Sequence, residues 1–463
     1  MSGVGYSVAL TCELGRQLRE HLLRYVVQGR RQEELCFALW RPSTGRSRET
    51  ALLTKIILPQ SDERELHGGV SFLPKYFDRA IAEALKDAAG IAFLHNHFTP
   101  GWQPMSGPDV VAEERLAPRV FGATGLPLIG LTMGTDGALS GRFWPRVGRG
   151  EFRREWCGTV RLIGDEFAVT FMDELIPKPE YRDVLRRTYS AWGVENQNTL
   201  ARLHYGVVGA GSVGAFIAEA LVRMGAETVT LIDFDNVKEH NLDRLLHATV
   251  EDIGRLKVDV ASDVLKRHAT SASVEIRPFP LSITTDEGLK AALDCDILFS
   301  CVDRPWPRHV LNMLANAHLL PVVDGGVLLS VTPKGRMRGA DWRAHIAMPG
   351  RPCLECLGQY KPADVALERE GFLDDPTYTK DLPRDHFVHR NENVFPFAMN
   401  ASGLMMLQML SLLVKPSGVS NPGGRIFHFA TETMDKNQLH DCKSECLFAS
   451  HVGLGDQFPF PVI

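Results

Sequence analysis

The chain has 463 residues, a formal net charge of −5 at pH 7 and 44% hydrophobic residues, which is more length than one core organises and enough apolar content to fill two or three. No run of Lys or Arg offers an electrostatic footprint for nucleic acid or an anionic membrane, so neither partner is expected. Nine cysteines are an odd number, and the opening MSGVGYSVALTCELGRQLREHLL lacks the pattern of a secretory leader, so a cytoplasmic protein whose thiols bind metal or do chemistry is expected, rather than a disulfide framework.

Residues 1–160 mix a helical pattern, YFDRAIAEALKDAAG, with the strand-like runs ALLTKIIL, IAFL and PLIGLTM, as an α+β domain does. Directly after IAFL, His95 and His97 stand at i and i+2, so both imidazoles project from one face of a strand and reach one metal. Asp109 is the candidate third ligand. Three such ligands leave a fourth tetrahedral position for water, whose pKa zinc lowers towards ~7. The Ser106-x-x-Asp109 step before VVAEERLA is also a helix-capping pattern, and either histidine alone fits a hydrogen-bonded structural residue.

His-x-His, a gap and then Ser-x-x-Asp resemble the JAMM/MPN metalloprotease family over residues 5–150. Its active members cleave isopeptide or peptide bonds after ubiquitin-like tails. The resemblance implies a glutamate on an upstream strand, here EELCFALW, with Glu34 as the base that takes the water's proton and Glu33 as the alternative. It also implies that Ser106 stabilises the tetrahedral oxyanion.

Residues 161–204, including PEYRDVLRRTYSAWGVENQNTLARL, read as a helical connector, after which strands and helices alternate as in a doubly wound α/β domain over 205–463. HYGVVGAGSVGAFIAEALVRMGAETVTLIDFD gives strand, Gly209-x-Gly211-x-x-Gly214, helix, and a strand ending at Asp233. This is the order of a dinucleotide fingerprint: glycines admit a phosphate at a helix N-terminus and the acid reaches a ribose hydroxyl.

The continuation differs from a dehydrogenase. DFDNVKEHNLDRLL, GRLKVDVASDVL and ILFSCVDRPWPRHVLNMLANAHLLPVVDGGV resemble the ThiF/MoeB-like and ubiquitin-activating enzyme family over about 180–446, whose members adenylate the C-terminal carboxylate of ubiquitin-like proteins. The resemblance implies that Asp233 holds the ribose, that Asn241, Arg244 and Lys257 surround the ATP phosphates, and that Asp303 binds Mg²⁺. It also implies that Arg187 enters the neighbouring subunit's site in a homodimer. Each residue has a plainer reading, Lys257 and Arg244 as solvated helix charges, Asp233 and Asp303 as caps. Arg304 stands where many members have Asn.

Cys353-x-x-Cys356 and Cys442-x-x-x-Cys446 flank a loose segment, 358–393, and the apolar run Phe395–Val414, which its Pro396, Asn400, Ser402 and Gln408 mark as a core helix rather than a membrane span. Four thiolates close a structural zinc site. The family commonly has such knuckles, the second usually as Cys-x-x-Cys. Thioester-forming members place a cysteine in the crossover segment, and 358–393 contains none. An external thiol, a hydroxyl such as Thr377 or Thr379, or a knuckle cysteine remain as acyl acceptors, while Cys295 and Cys301 border an apolar strand and suit packing.

The two resemblances together imply a zinc isopeptidase-like domain fused to an ATP·Mg²⁺-dependent adenylating domain. Its substrate would be a ubiquitin-like protein in a bacterial-type conjugation pathway, with antiviral defence as a context and a ubiquitin-carrier enzyme as a partner. The alternatives are sulfur-carrier activation for cofactor or natural-product biosynthesis, and a binding scaffold with inactive sites, against which the intact His95, His97, Asp109, Lys257 and Asp303 speak.

Overall fold

The computed structural model describes all residues except 1–3, 25, 28–29, 68, 333, 381, 383–392 and 459–463. Two compact units emerge, one of residues up to 177 with 317–319 and 453–458, the other of 178–316 and 320–452.

The first unit contains β1 (Gly5–Thr11), α1 (Cys12–Leu22), β2 (Leu35–Thr44), β3 (Arg48–Ile57), a hairpin of β4 (Arg64–His67) and β5 (Gly69–Phe72), α2 (Pro74–Lys86), β6 (Gly90–Asn96), α3 (Gly107–Thr124), β7 (Leu128–Met133), β8 (Leu139–Trp144), β9 (Glu155–Ile163) and β10 (Phe167–Phe171). The three runs expected as strands form β3, β6 and β7, and the helical pattern forms α2. The main sheet runs β1-β3-β2-β6-β7-β8-β9-β10, and β1 also pairs in parallel with β9, Val8 opposite Val160, closing seven strands into a barrel. That closure joins segments some 150 residues apart and leaves no trace in local alternation. Strand β2 is buried on both faces: Cys36, Ala38 and Trp40 join one core with Leu18 and Leu22 of α1, while Leu35, Phe37 and Leu39 join a second with α2 and α3.

The span expected as a helical connector, 161–204, begins inside this sheet. Residues 161–163 finish β9, and β10 adds to β9 through Phe167 to Phe171, whose end residues are buried. Helix starts later, with α4 (Arg186–Trp192) and α5 (Val194–Arg202).

The second unit continues with β11 (His204–Val208), α6 (Ser212–Arg223), β12 (Thr228–Ile232), α7 (Lys257–His268), β13 (Glu275–Phe279), α8 (Asp286–Leu293), β14 (Ile297–Ser300), α9 (Pro305–Ala317), β15 (Val322–Val331), β16 (Met337–Ala347), α10 (Pro362–Arg369), α11 (Phe395–Val414), β17 (Arg425–His428) and β18 (Thr433–Lys436). Its sheet runs β13-β12-β11-β14-β15-β16-β17-β18. The first five strands are parallel and the rest antiparallel. The order reverses between β11 and β14, the switch point at whose carboxyl ends α/β sheets bind ligands.

Helix α11 is long and apolar enough to cross a membrane by length and composition, yet half of its most apolar window is buried. It packs on α6, β15 and β16. Gly325 permits the close approach, because a Cβ there would stand 2.3 Å from Met405 Sδ.

Candidate functional site

At the switch point lies a cavity of about 1410 Å³, lined by Gly209, Gly211, Asp233, Asn241, Arg244, Lys257 and Asp303. Gly209 has φ +94°, and a Cβ on it would stand 2.6 Å from the Cys301 carbonyl oxygen, so both the turn and its contact with the end of β14 require glycine. Gly211 caps α6 with open space where a side chain would stand, leaving the first helical N–H groups accessible to a phosphate. Gly214 does not line the cavity. Its Cβ would lie 1.8 Å from the Gly209 carbonyl oxygen, so it lets α6 close on the turn.

Asp233 Oδ2 accepts from the Ala210 amide at 2.7 Å and Oδ1 from the Asp235 amide at 2.8 Å, which fixes the carboxylate at the cavity wall. Burial raises its pKa against the opposing pull of Lys257 and those amides. Lys257 opens α7 and reaches Asp235 Oδ2 at 2.6 Å with its side chain 11% exposed, so it is no solvated helix charge. Arg244 donates to Asp243 at 2.8 Å and to the His240 carbonyl, and Asn241 Oδ1 accepts from the Lys238 amide at 3.0 Å. Asp303 is exposed just beyond β14. One carboxylate beside substrate phosphates is a donor set that suits Mg²⁺. Arg187 is exposed on α4 and does not line this cavity.

Sequence reasoning missed a buried network in the same wall. Asp324 accepts from Ser300 Oγ at 2.6 Å and Arg308 Nε at 3.0 Å, and pairs with Arg343. Burial opposes its charge, but the two guanidiniums outweigh that and hold its pKa at about 2. Arg308 and Arg343 both line the cavity. The signal was present in DRPWPR and VVDGGV, but no local spacing links residues that only the β14–β15 pairing brings together.

Arg304 pairs with Asp374 at 2.8 Å, and Glu368 of α10 accepts from the Trp306 amide at 2.8 Å, which ties the start of the crossover segment to the loop carrying Asp303. Burial pushes the Glu368 carboxyl up to about 7. Part of the expected crossover, 383–392, lies outside the described residues. Thr377 and Thr379 bond within their own turn, to Asp375, and do not line the cavity, whereas Cys301 does. Burial and then Asp324 push the Cys301 thiol well above the usual thiol range, which suits packing rather than attack.

The four knuckle sulfurs of Cys353, Cys356, Cys442 and Cys446 lie within 4.8 Å of one another. A tetrahedron of ~2.3 Å Zn–S bonds has edges of about 3.8 Å, and Cys353 Sγ lies 3.6 Å from Cys446 Sγ. The extra residue in the second knuckle is accommodated. Amides of Cys353, Cys356 and Lys443 donate to the sulfurs of Cys442, Cys353 and Cys356.

In the first unit, His95, His97 and Asp109 likewise gather within 4.8 Å. His95 Nε2 lies 3.4 Å from Asp109 Oδ1, and His97 Nε2 lies 3.2 Å from Oδ2. Two imidazole nitrogens and a carboxylate fit a catalytic zinc set. Burial would raise the Asp109 pKa, but hydrogen bonds from both histidines hold it well below the carboxylate range. Ser106 is the N-cap of α3 in a reciprocal capping box with Asp109, so the capping reading holds, and the box fixes the ligand carboxylate.

Glu34 does not join the trio. Leu35 pairs with His95 across β2 and β6, so strand alternation sets Glu34 with Asn96, on the other side from His95. Its fully buried carboxylate lies 2.9 Å from Arg64 and 3.9 Å from His21.

Residues 185–447 match the ThiF family. The chain is 34% identical over 158 residues to "Adenylyltransferase and sulfurtransferase UBA4" of Meyerozyma guilliermondii, covering 34% of each chain. It is 30% identical over 135 residues to "Sulfur carrier protein adenylyltransferase" of Thermus thermophilus, covering 29% of this chain and 49% of that one. It thus spans a third to a half of these relatives. Among solved structures, E. coli MccB with MccA-N7isoASN is similar at a TM-score of 0.45 and 16% identity, over 58% of this chain and 75% of that one. With more than half its length matched and the nucleotide-type cavity built inside the matched span, the chain belongs to the ThiF family.

Proposed function

We propose that the chain uses ATP to adenylate the C-terminal carboxylate of a small carrier protein, as in sulfur-carrier activation. The observation that carries this reading is the convergence of the Gly209–Gly211 turn, Asp233, Arg244, Lys257 and Asp303 on one cavity. The carrier carboxylate attacks the α-phosphorus, an acyl-phosphate anhydride forms, and the bond to pyrophosphate breaks. Charge then grows on the leaving oxygens, where Lys257 and Arg244 stabilise it while Asp233 holds the ribose. Mg²⁺, held by Asp303, supplies further charge neutralisation when bound.

The names of the Meyerozyma and Thermus relatives favour sulfur-carrier chemistry over a ubiquitin-like conjugation or antiviral pathway. A crossover without cysteine suits it too, because an acyl-adenylate is activated enough for an external thiol to attack. A desulfurase or rhodanese partner supports this reading, and a ubiquitin-carrier partner supports conjugation. We further propose a cytoplasmic homodimer in which Arg187 serves the partner's cavity.

For the first unit we propose a JAMM/MPN-like zinc peptidase that acts on the same tail, motivated by the His95, His97 and Asp109 trio. When bound, zinc supplies Lewis acidity and an acidified water. The resemblance offers Glu34 as the base with Glu33 as the alternative, and the pairing of the Glu34 carboxylate with Arg64 speaks against the first.

The test is ATP–pyrophosphate exchange with small proteins ending in glycine against the same proteins with extended tails, in wild type and Asp303→Ala. Exchange that depends on the glycine end and is lost in the variant is expected. No tail-dependent exchange with any such carrier overturns the adenylation reading.

A further inference from the structure

We propose that Arg343 recognises the free C-terminal carboxylate of the carrier before it attacks ATP, an inference that deepens the adenylation reading and rests on it. Arg308 and Arg343 share the single carboxylate of Asp324, and both line the nucleotide cavity. That group of three carries one positive charge in excess. Arg308 is tied twice, through Nε to Asp324 Oδ1 at 3.0 Å and through Nη2 to the Val302 carbonyl. Arg343 is tied through Nη1 to Asp324 Oδ2, while its Nε and Nη2 meet no acceptor among the described residues. Its side chain keeps 19% of its surface exposed, so these donors are open to a ligand. Burial lowers the Arg343 pKa against the pull of Asp324, and Arg308 adds to the fall, so an incoming anion relieves a charge that the wall holds at a cost.

Position separates Arg343 from the groups that face the nucleotide. Asp233, beside the end of β12, stands on one side of β11, whereas β14, β15 and β16 follow on the other. Asp324 pairs with Ser300, the last residue of β14, and the Gly326–Arg343 pair stands two residues further along β15, beyond the carboxyl end of β14. Gly326 sets no side chain beside the guanidinium. A Cβ there would meet Nη2 at 3.5 Å, so a longer side chain would cover it. Asn393, two residues before α11, lines the same cavity, and its Oδ1 is buried without a donor among the described residues. An open cation and an open acceptor on one cavity suit the end of a peptide, which brings a carboxylate and a backbone N–H.

Holding the carboxylate does not block its attack. A carboxylate has two oxygens, and a guanidinium donor on one leaves the lone pairs of the other for the α-phosphorus. That second oxygen forms the new bond to phosphorus as the bond to pyrophosphate breaks. The oxygen at Arg343 becomes the carbonyl oxygen of the acyl-adenylate, still an acceptor, and no proton moves.

The test uses the full chain with Mg·ATP, the Gly-ended small proteins of the exchange assay, and the same proteins with the terminal carboxylate converted to an amide. Arg343→Gln leaves Asp324 paired with Arg308. It should raise the KM for the Gly-ended protein by about 10–100-fold and leave the KM for ATP unchanged. Gly326→Leu, which keeps all three charged groups and covers the guanidinium, should raise the same KM. The amidated protein, as an inhibitor, should be equally weak against wild type and Arg343→Gln, because it offers Arg343 no charge. If wild type shows no exchange that depends on the glycine end, the adenylation reading fails and this inference with it. If wild type exchanges normally and both variants keep the KM for the Gly-ended protein, or raise that for ATP instead, the adenylation reading stands and carboxylate recognition by Arg343 is overturned.

Discussion

Lys257 Nζ and Asp235 Oδ2 stand 2.6 Å apart on the wall of the nucleotide cavity, and the Lys257 amide donates to the Asp235 carbonyl at 2.9 Å. The pair joins the first residue of α7 to the loop after β12, so the cation is aimed by backbone and side chain together. Lys257→Ala should lower ATP–pyrophosphate exchange by ~10²–10³ while leaving thermal unfolding nearly unchanged, as expected for a group acting on charge that develops in the transition state. Asp235→Asn should cost less, since the amide contact still places the lysine. Equal exchange in Lys257→Ala and wild type would remove Lys257 from the chemistry.

Asp324 sits fully buried between Arg308 and Arg343, with a pKa of about 2. That is below the unfolded value of ~3.9, so the stabilisation is fully present above about pH 4 and is lost as pH falls through the folded value. The shift corresponds to about 2–3 kcal/mol. Asp324→Asn leaves two buried guanidiniums without a counter-charge and should cost ~3–5 kcal/mol at neutral pH. Urea unfolding of both proteins from pH 7 down to pH 2 checks it. The gap should narrow below pH 4, and a pH-independent gap would contradict the ion-pair account.

Cysteine chemistry offers a separate handle on the second unit. Cys442→Ser should remove one zinc per chain by metal analysis and lower the melting temperature, because metal bound only by the folded state adds its binding free energy to stability. Metal at the His95 trio should be untouched. Unchanged zinc content in Cys442→Ser would mean that the four sulfurs, close as they are, do not hold an ion.

What the sequence revealed and what it hid divide along the distance between partners. The Gly209 turn, Asp233, Lys257 and the two cysteine knuckles were legible because each motif carries its own chemistry in a short span; the first three meet at one cavity, and the knuckles meet each other at a separate cluster. The Asp324 network and barrel closure were not, since Arg308, Arg343 and Asp324 meet only after three strands align, and β1 finds β9 across most of the first unit. The β10 strand was hidden by a different cause. Its buried ends Phe167 and Phe171 are spaced for a strand, but the charged helix pattern after it dominated the reading.

Glu34 is where motif and contacts disagree. The motif makes it the base, while its amide donates to Asn96 Oδ1 at 2.8 Å and its carboxylate lies at Arg64, and the Glu33 carboxylate lies beside Gly69 of the β4–β5 hairpin. Neither residue belongs to the metal trio, so Glu34→Gln and Glu33→Gln should both retain zinc at His95, His97 and Asp109. On the role the motif gives it, Glu34→Gln should lose zinc-dependent tail cleavage by ~10²-fold or more, with cleavage in Glu33→Gln little changed. Cleavage rates of both variants, with zinc content measured on the same samples, decide between them. Retained cleavage in Glu34→Gln with loss in Glu33→Gln would transfer the base to Glu33, and would mean that the ion pair of Glu34 with Arg64 is structural.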